Sequence, residues 1–277
     1  QRGVGRVETE RLPYFGEMAA EHLQGLDTLI IIGSKPPVSF FAYPGKPGWL
    51  SPEGSSLLQM GDHGVDAIDT LTRLADALGA PSEVTKVAQR FEHALETGPI
   101  NAVELGKVIA NRLPENAIVS DEGATNGLGA FLMTGNAAPH DWLTLTGGAI
   151  GQGLPLALGA AVACPDRKVL ALEADGSAMY TVQALWTMVR EDLDVTVLIL
   201  NNGSYAILNI ELARVGVEQP GPTALSLLDL TNPAIKWTDI AKGMGMAAER
   251  VDTVEALDSA MALAMAEKGP RLIEVSL

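Results

Sequence analysis

The sequence has a single cysteine, few aromatic residues and no long apolar run. Cys164 stands alone among 277 residues, which excludes an intrachain disulfide and leaves no cysteine-based zinc motif. We find no stretch of about 18 or more apolar residues, so we expect no transmembrane helix. We also find no basic segment followed by an apolar one, which is the pattern typical of a targeting leader. These absences lead us to expect a soluble, cytoplasmic protein.

Basic residues are also scarce. The chain has 19 Lys and Arg against 34 Asp and Glu, a formal net charge of −15. Nucleic acids and anionic membrane surfaces would be repelled by this excess of negative charge. A phosphate ligand is not excluded, because a local Mg²⁺ ion and helix N-termini can outweigh the global charge. The low aromatic content, 5%, with 47% hydrophobic residues favours helices packed on a sheet over a β-sandwich.

The first 80 residues contain one predicted strand and one predicted helix. The apolar run at 27–33 is typical of a buried strand, and residues 66–79 have a helical period that ends at a glycine. Residues 35–54 between them are rich in proline and glycine, which excludes a regular helix there. Pro81 opens a polar segment that we predict to be helical through about residue 96, before Gly98 and Pro99 close it. We therefore predict three parts: residues 1–80, a linker at 81–98, and a domain at 99–277.

From residue 100 onward, strands and helices alternate. We predict one doubly wound α/β domain with a parallel sheet and helices on both faces. Continuous apolar strands such as residues 195–200 are expected where helices cover both faces of a sheet. The predicted strands cover residues 117–120, 142–146, 168–174, 195–201, 246–251 and 271–276.

Ligands of such sheets bind beyond the carboxyl ends of the strands, so the loops there deserve the closest inspection. Asp175 follows the strand 168–174 directly and could present its carboxylate to a cation. Gly176 would let a ligand approach the backbone closely. The alternative is an ordinary Asp-Gly turn, since such dipeptides are common turn signals.

A second loop, residues 201–205, follows the next strand with the sequence Asn-Asn-Gly-Ser-Tyr. Asparagine amides are neutral oxygen ligands that suit Mg²⁺ together with one carboxylate and a diphosphate. A simple turn is again the alternative. One helix and one strand separate Asp175 from Asn202, which is one crossover unit, so we expect the two side chains to lie side by side.

A third loop, Thr146 to Gly153, joins a predicted strand to a helix and is rich in glycine. Glycines at a helix N-terminus expose backbone N–H groups to a phosphate, or let a ring lie on the chain. Alone this is weak evidence. It gains weight as a further strand-end loop of the same predicted sheet.

Taken together, the three loops resemble the signature of thiamine-diphosphate-dependent 2-oxo-acid decarboxylases and carboligases. This family includes acetolactate synthase, pyruvate decarboxylase and benzoylformate decarboxylase. The resemblance covers roughly residues 100–277. The signature usually opens with Gly-Asp-Gly, whereas here Ala174 takes the first position and leaves Asp175 in place. Residues 147–161 resemble the family's loop under the aminopyrimidine ring of the cofactor.

The resemblance implies a site for thiamine diphosphate and Mg²⁺. The implied metal ligands are the Asp175 carboxylate, the Asn202 side chain and the main-chain carbonyl of Ser204. Ile150 falls where the family places a bulky apolar side chain under the bent cofactor. The turn at 123–126 matches another diphosphate-contacting loop but lacks the Gln-His pair of many acetolactate synthases. The implied cofactor-binding residues are Gly123, Ala124, Thr125, Asn126, Gly148, Ala149, Ile150, Gly176, Ser177, Tyr205 and Ala206.

The resemblance also implies that the active site needs another domain. Family members use a glutamate from a separate pyrimidine-binding domain, which belongs to the same protein or to a neighbouring subunit. We therefore assign no catalytic acid–base residue within this chain and expect a homodimer or homotetramer. Residues 1–80 resemble the closing part of the family's central domain, which is Rossmann-like, and the start at Gln1 suggests a fragment or a processed chain.

Some family members bind FAD or another nucleotide in the central domain. Residues 40–44, Phe-Phe-Ala-Tyr-Pro, could line such a pocket. A packed core loop is the alternative, and FAD has no other support in the sequence.

The resemblance implies an acetolactate-synthase-like carboligase that decarboxylates pyruvate or a related 2-oxo acid, with the thiazolium ring as electron sink. A benzoylformate-type decarboxylase that releases an aldehyde is the nearest alternative. A non-catalytic thiamine-diphosphate-binding or regulatory protein is an alternative of another class. A generic Mg²⁺-nucleotide binder is disfavoured, because neither GxxxxGK[ST] nor GxGxxG ahead of a helix occurs.

Overall fold

The computed structural model describes residues 1–61, 64–84 and 86–277, which form two compact units. Unit one comprises Gln1–Glu8, Lys86–Ala213 and Glu218–Leu277. Unit two comprises Arg214–Val217 and the described residues of Thr9–Thr85. The boundaries of these two units differ from the predicted boundaries, because Gln1–Glu8 and the residues from Lys86 onward belong to unit one. The assignment of 81–98 as a linker between domains of a longer protein stays a prediction.

Unit two contains two helices and two short parallel strands. The elements are α1 (Gly16–Leu23), β1 (Thr28–Ile31), β2 (Ser56–Gln59) and α2 (Ala67–Ala77). β1 and β2 pair in parallel. Asp66 begins α2 by accepting hydrogen bonds from the N–H groups of residues 68 and 69. β1 and α2 were predicted from their patterns, whereas α1 and β2 are too short for a period to be recognised.

The aromatic loop at residues 40–44 is not a packed core loop. Phe40 and Phe41 are about half exposed, with ring centroids 4.8 Å apart in an edge-on arrangement. Within the same unit, the Arg214 guanidinium lies 4.7 Å from the ring centroid of Tyr43 and makes two 2.8 Å hydrogen bonds to Glu17. That pairing lowers the pKa of Glu17 to about 2. Nucleotide binding by this loop stays a prediction.

The predicted helix from Pro81 to about residue 96 is wrong. The described part of this segment contains no helix, and it is held instead by neighbours distant in sequence. Ala88 exchanges backbone hydrogen bonds of 2.9 and 3.0 Å with Arg6 and Gly5. The backbone N–H and C=O of His93 both bond to the Asn111 side chain at 2.9 Å. These tertiary hydrogen bonds satisfy the backbone that a helix would otherwise satisfy.

Unit one is an alternation of strands and helices, as predicted. It also contains a short 3₁₀ turn at Thr134–Asn136. Its elements are α3 (Ala102–Arg112), β3 (Ile118–Glu122), α4 (Ala124–Met133), β4 (Asp141–Thr144), α5 (Gly153–Ala163), β5 (Val169–Ala174), α6 (Asp175–Ala178), α7 (Ala184–Arg190), β6 (Val195–Asn201), α8 (Ala206–Arg214, its last residue grouped with unit two), α9 (Pro222–Ser226), α10 (Trp237–Gly243), β7 (Ala247–Val251), α11 (Val254–Ala266) and β8 (Arg271–Ser276).

The six strands β3 to β8 form one parallel sheet in the order β4-β3-β5-β6-β8-β7. This confirms the predicted fold class. The chain runs from β3 outward to β4 and then returns to β5 on the other side of β3. The direction of strand addition therefore reverses between β3 and β5, and ligands of open α/β sheets bind in the crevice at such a reversal.

Two apolar cores cover the two faces of the sheet. Leu170 and Leu172 of β5 belong to the core formed with α3, α4 and α11. Val169 and Ala171 of the same strand belong to the core formed with α5, α7 and α10. Because successive side chains of a strand point to opposite faces, burial on both faces explains the continuous apolar runs.

Several predicted boundaries differ from the observed ones. Where we predicted a helix over 181–191, α7 runs only from Ala184 to Arg190, because turns occupy the preceding residues. The predicted helix 233–244 begins only at Trp237, after a turn that contains the Asn232–Pro233 bond. The short helices α6 and α9 were not predicted. Over the described ranges, no helix combines the length and apolar character that a membrane span requires.

Candidate functional site

Asp175 stands at the carboxyl end of β5, where it begins the single turn α6. Its side chain is buried, and Oδ1 accepts a hydrogen bond from the N–H of Gly176 at 2.9 Å. Oδ2 accepts from the N–H of Gly203 at 2.8 Å. Burial raises the pKa of Asp175, while these N–H groups act in the opposite direction. The carboxylate is thus held in one orientation at the end of the sheet.

The asparagine loop, Asn201–Ser204, follows β6 and lies beside Asp175. β6 pairs with β5, so the two strand ends are neighbours, as the crossover spacing predicted. Asn202 Oδ1 accepts a hydrogen bond from the Ser204 N–H at 3.0 Å. Gly203 has a φ of +67°, and a Cβ there would lie 2.8 Å from Thr231 Cγ2. Both the backbone conformation and the close neighbour favour glycine at this position.

Residues 228–231, which are distant in sequence, form hydrogen bonds with the asparagine loop and with Tyr205. The Leu228 carbonyl accepts from the Tyr205 N–H at 2.9 Å and from Ser204 Oγ at 3.1 Å. Leu230 donates its N–H to the Gly203 carbonyl at 2.9 Å. Sequence reasoning missed this segment, because nothing in its pattern indicates which loop it contacts.

Most of the predicted site residues surround one small cavity of unit one. The cavity measures about 30 Å³, which is room for an ion or a water molecule and not for a cofactor. Its lining also includes Ala174 and Ile207, which were not predicted as site residues. The predicted residues that line it are Ala124, Thr125, Asp175, Gly176, Ser177, Asn202, Ser204, Tyr205 and Ala206.

The other predicted residues lie outside the lining of this cavity. Gly123 precedes α4, with its N–H bonded to Asp121 Oδ1 at 3.1 Å, and Asn126 lies in the first turn of α4. Gly148, Ala149 and Ile150 lie in the turn between β4 and α5. The Ile150 side chain is partly exposed, at 36%.

The glycine loop, Gly147–Gly153, follows the edge strand β4 but is hydrogen-bonded to the neighbouring strand β3. Glu122, the last residue of β3, accepts hydrogen bonds from the N–H groups of Gly151 at 2.5 Å and Gly153 at 2.6 Å. Thr181 Oγ1 donates to the Gly151 carbonyl at 2.9 Å. These contacts connect the glycine loop to β3 and to the turn that follows α6.

A second buried carboxyl group, Glu173, lies under the same loop. It is fully buried, with its carboxyl group beside that of Glu122. Burial raises its pKa well above the ordinary value, and the nearby Glu122 carboxylate raises it further. Sequence reasoning assigned no role to either glutamate, although a charged residue within an apolar strand is a signal that could have been followed.

A larger cavity of about 760 Å³ lies in unit two. Its lining includes Gln24, Trp49, Ser51 and Glu53. It contains none of the predicted site residues. We therefore base the candidate site on the chemistry of its side chains and not on cavity size.

The side chains at the small cavity suit a cation that prefers oxygen ligands. Asp175 offers a carboxylate, Asn202 an amide oxygen, and Ser204 a main-chain carbonyl. No group of three or more His, Cys, Asp and Glu residues that could hold a metal ion occurs among the described residues. A carboxylate, an amide oxygen and a main-chain carbonyl are oxygen donors of the kind that suit Mg²⁺, whereas zinc favours histidine and thiolate ligands.

The fold and the site together define the class of protein. Residues 122–275 match the family described as "Thiamine pyrophosphate enzyme, C-terminal TPP binding domain". The match covers more than half of the chain, and the chain therefore belongs to the thiamine pyrophosphate (thiamine diphosphate) enzymes.

Two named proteins are similar to this chain over most of its length. The chain is 51% identical over 276 residues to a Mycobacterium tuberculosis protein named "Putative acetolactate synthase large subunit IlvX", with 99% of this chain and 53% of that protein covered. It is 30% identical over 269 residues to benzoylformate decarboxylase of Pseudomonas aeruginosa, with 91% of this chain and 49% of that protein covered. The chain thus spans about half the length of these relatives.

Two solved structures are also similar to this chain over most of its length. A thiamine diphosphate-dependent 4-hydroxybenzoylformate decarboxylase of Rhodococcus jostii RHA1 is similar over 96% of this chain and 51% of its own, with a TM-score of 0.79 and 26% identity. A benzoylformate decarboxylase of Polynucleobacter necessarius is similar over 94% of this chain and 51% of its own, with a TM-score of 0.69 and 26% identity.

Proposed function

We propose that this chain is the cofactor-holding half of an enzyme that depends on thiamine diphosphate and Mg²⁺. The enzyme decarboxylates a 2-oxo acid and transfers the resulting acyl-anion equivalent to a second carbonyl compound, as an acetolactate-synthase-like carboligase does. The observation that carries the proposal is the meeting of Asp175 and the asparagine loop at one cavity, with the Gly203 N–H donating to Asp175 Oδ2 at 2.8 Å.

In this proposal the cation is bound by Asp175, Asn202 and the main-chain carbonyl of Ser204. The carboxylate neutralises part of the metal charge, and the two neutral oxygens complete the protein's share of the ligands. The main-chain N–H groups at Gly176 and Ser177 and the turn at Tyr205-Ala206 would lie beside the diphosphate. The turn at residues 123–126 would approach it from the β3 side of the crevice.

The glycine loop would receive the thiamine end of the cofactor. Gly148 and Ala149 would allow close approach of the aminopyrimidine ring, and Ile150 would support the bent cofactor from below. The Ile150 side chain is 36% exposed and therefore accessible to a ligand. When bound, the cofactor supplies the thiazolium ring that accepts the electrons released by decarboxylation.

The active site would be completed by a pyrimidine-binding domain of the same protein or of a neighbouring subunit. That domain would supply the glutamate that begins proton transfer, so we propose no catalytic residue in this chain. A homodimer or homotetramer would bring the two domains together. The coverage of only about half of each relative supports a role for additional polypeptide.

Two alternatives remain. The similarity to benzoylformate decarboxylase favours an enzyme that releases an aldehyde instead of joining two substrates. A non-catalytic thiamine-diphosphate-binding protein would use the same loops without turnover.

Product analysis separates these functions. The chain is mixed with the half of the M. tuberculosis relative that it does not match, thiamine diphosphate and Mg²⁺, and is given pyruvate or benzoylformate. We expect CO₂ release only when both polypeptides and the cofactor are present. Acetolactate from pyruvate would support the carboligase, and free aldehyde would support the decarboxylase. Tight cofactor binding without CO₂ from either acid would contradict an enzymatic role on these substrates.

A further inference from the structure

A chain of hydrogen bonds runs from β8 to the asparagine loop. It begins at Glu274, which lies inside β8 with only 3% of its surface exposed. Glu274 Oε1 accepts a hydrogen bond from Asn201 Nδ2 at 2.8 Å, and Oε2 accepts one from the Thr238 N–H at 3.3 Å. Arg250 Nε lies 3.9 Å from Oε1. The carboxylate is therefore held from more than one side.

The fixed side chain of Asn201 in turn constrains the backbone at Gly203. Its Oδ1 accepts from the Gly203 N–H at 3.0 Å, and the same N–H reaches Asp175 Oδ2 at 2.8 Å. An ionised carboxylate can only accept hydrogen bonds, so Glu274 requires the NH₂ side of the Asn201 amide. The amide oxygen then has to face Gly203. The orientation of the Asn201 side chain is thus set by a residue 73 positions further along the chain, on the neighbouring strand β8.

We propose that Glu274 is a positioning residue for the cation site, an inference that rests on the proposed function. Glu274 orients Asn201, Asn201 orients the Gly203 peptide, and this peptide determines where Asn202 and Ser204 present their oxygens. Without the carboxylate the Asn201 amide is free to rotate, and the Gly203 N–H loses one of its two acceptors. Partners of metal ligands typically change metal affinity by about 10- to 100-fold when removed.

The first part of the test needs no cofactor. Amide hydrogen exchange is measured at Gly203 and Ser204 in wild type, Glu274→Ala, Glu274→Gln and Glu104→Ala. Loss of one net hydrogen bond predicts roughly fivefold faster exchange in Glu274→Ala. Glutamine keeps an acceptor for Asn201 Nδ2, so Glu274→Gln should exchange nearly as slowly as wild type.

Glu104→Ala is the matched control. Glu104 is equally buried, at 3%, and it too serves as an acceptor within unit one, for Lys107 Nζ and the Glu96 N–H. Its removal should lower the stability of the fold without accelerating exchange in the asparagine loop. A purely structural effect of losing a buried carboxylate would appear in both alanine variants.

The second part measures the affinity for Mg²⁺ by titration calorimetry at saturating thiamine diphosphate. We expect about 10- to 100-fold weaker binding in Glu274→Ala, rescue in Glu274→Gln and wild-type affinity in Glu104→Ala. Asn201→Ala should weaken binding to a similar extent. The double variant Asn201→Ala/Glu274→Ala should lose little more, because both changes break the same chain of hydrogen bonds.

Unchanged loop exchange in Glu274→Ala would overturn the hydrogen-bond relay, whatever the cofactor does. Faster exchange with unchanged Mg²⁺ affinity would overturn the positioning role. If wild type itself binds no Mg²⁺ with thiamine diphosphate, the proposed function fails and the positioning role fails with it, while the exchange data still decide whether the relay exists.

Discussion

At the scale of single residues, the least expected feature is the pair of glutamates under the glycine loop. Glu122 is used as an acceptor by two backbone N–H groups, at Gly151 and Gly153. Glu173 is fully buried, with its carboxyl group beside that of Glu122. A buried carboxylate next to a second carboxyl group is costly, so the folded protein favours the protonated form of Glu173.

This arrangement predicts a pH-dependent effect of Glu173→Gln. A pKa that is raised on folding contributes stability below the unfolded-state pKa, and that stability is lost as the pH rises through the folded-state pKa. Glutamine has nearly the same shape and no charge to develop. The melting temperature of Glu173→Gln relative to wild type should therefore increase between pH 5 and pH 9, by roughly 2 °C or more. Thermal denaturation across this pH range measures it.

Glu249→Gln offers a control, because it makes the same chemical change at an exposed position of β7. Parallel pH profiles for wild type and Glu173→Gln would contradict the assignment of a neutral Glu173.

At the scale of the elements, α5 shows how close packing at the site constrains the sequence. Gly153 begins this helix, and a Cβ there would lie 2.1 Å from Glu173 Oε1 and 2.7 Å from Glu122 Oε2. Gly159 lies on the same helix, and a Cβ there would meet no atom within 4 Å. Gly153 is thus buried at the start of the helix against two carboxyl groups, whereas Gly159 is exposed in its interior.

We therefore predict opposite effects of alanine at these two positions. Gly153→Ala should lower the free energy of unfolding by about 1–3 kcal/mol, because two buried carboxyl groups have to move. Gly159→Ala should raise it by up to about 1 kcal/mol, because alanine is the better helix former. Urea denaturation of both variants measures the difference. Equal stability of the two variants would contradict the close contact at Gly153.

The sequence predicted the elements of unit one well, and the reason is burial. Strands β5, β6 and β8 lie in the middle of the sheet and are apolar on both faces, so their runs stand out in the sequence. The error at residues 81–96 has the opposite cause. That segment has a polar, helix-compatible pattern, but its backbone bonds to residues such as Arg6 and Asn111, which no local pattern can indicate.

At the scale of the whole molecule, sequence and structure agree on which strand ends come together. Asp175 and Asn202 were placed side by side from the crossover spacing alone, and β5 and β6 are indeed neighbours. The supports of these loops could not be predicted, because the 228–231 segment and Glu274 reach them from elsewhere in the chain. Spacing predicts which loops meet, whereas the contacts that hold them depend on the complete fold.

The chain covers about half the length of its relatives, and the cavity at the candidate site, about 30 Å³, has room for an ion and not for a whole cofactor. The proposed function accounts for both facts, since the thiamine end of the cofactor would lie between this chain and a pyrimidine-binding domain.

The most direct measurement is ³¹P NMR of thiamine diphosphate titrated with this chain in the presence of Mg²⁺. We predict that wild type shifts or broadens the diphosphate resonances and that EDTA reverses the change. Asp175→Ala should abolish it, whereas the exposed control Asp252→Ala should leave it intact. Resonances that stay unchanged with wild type, or that respond equally with Asp175→Ala, would contradict a cation and diphosphate site at the ends of β5 and β6.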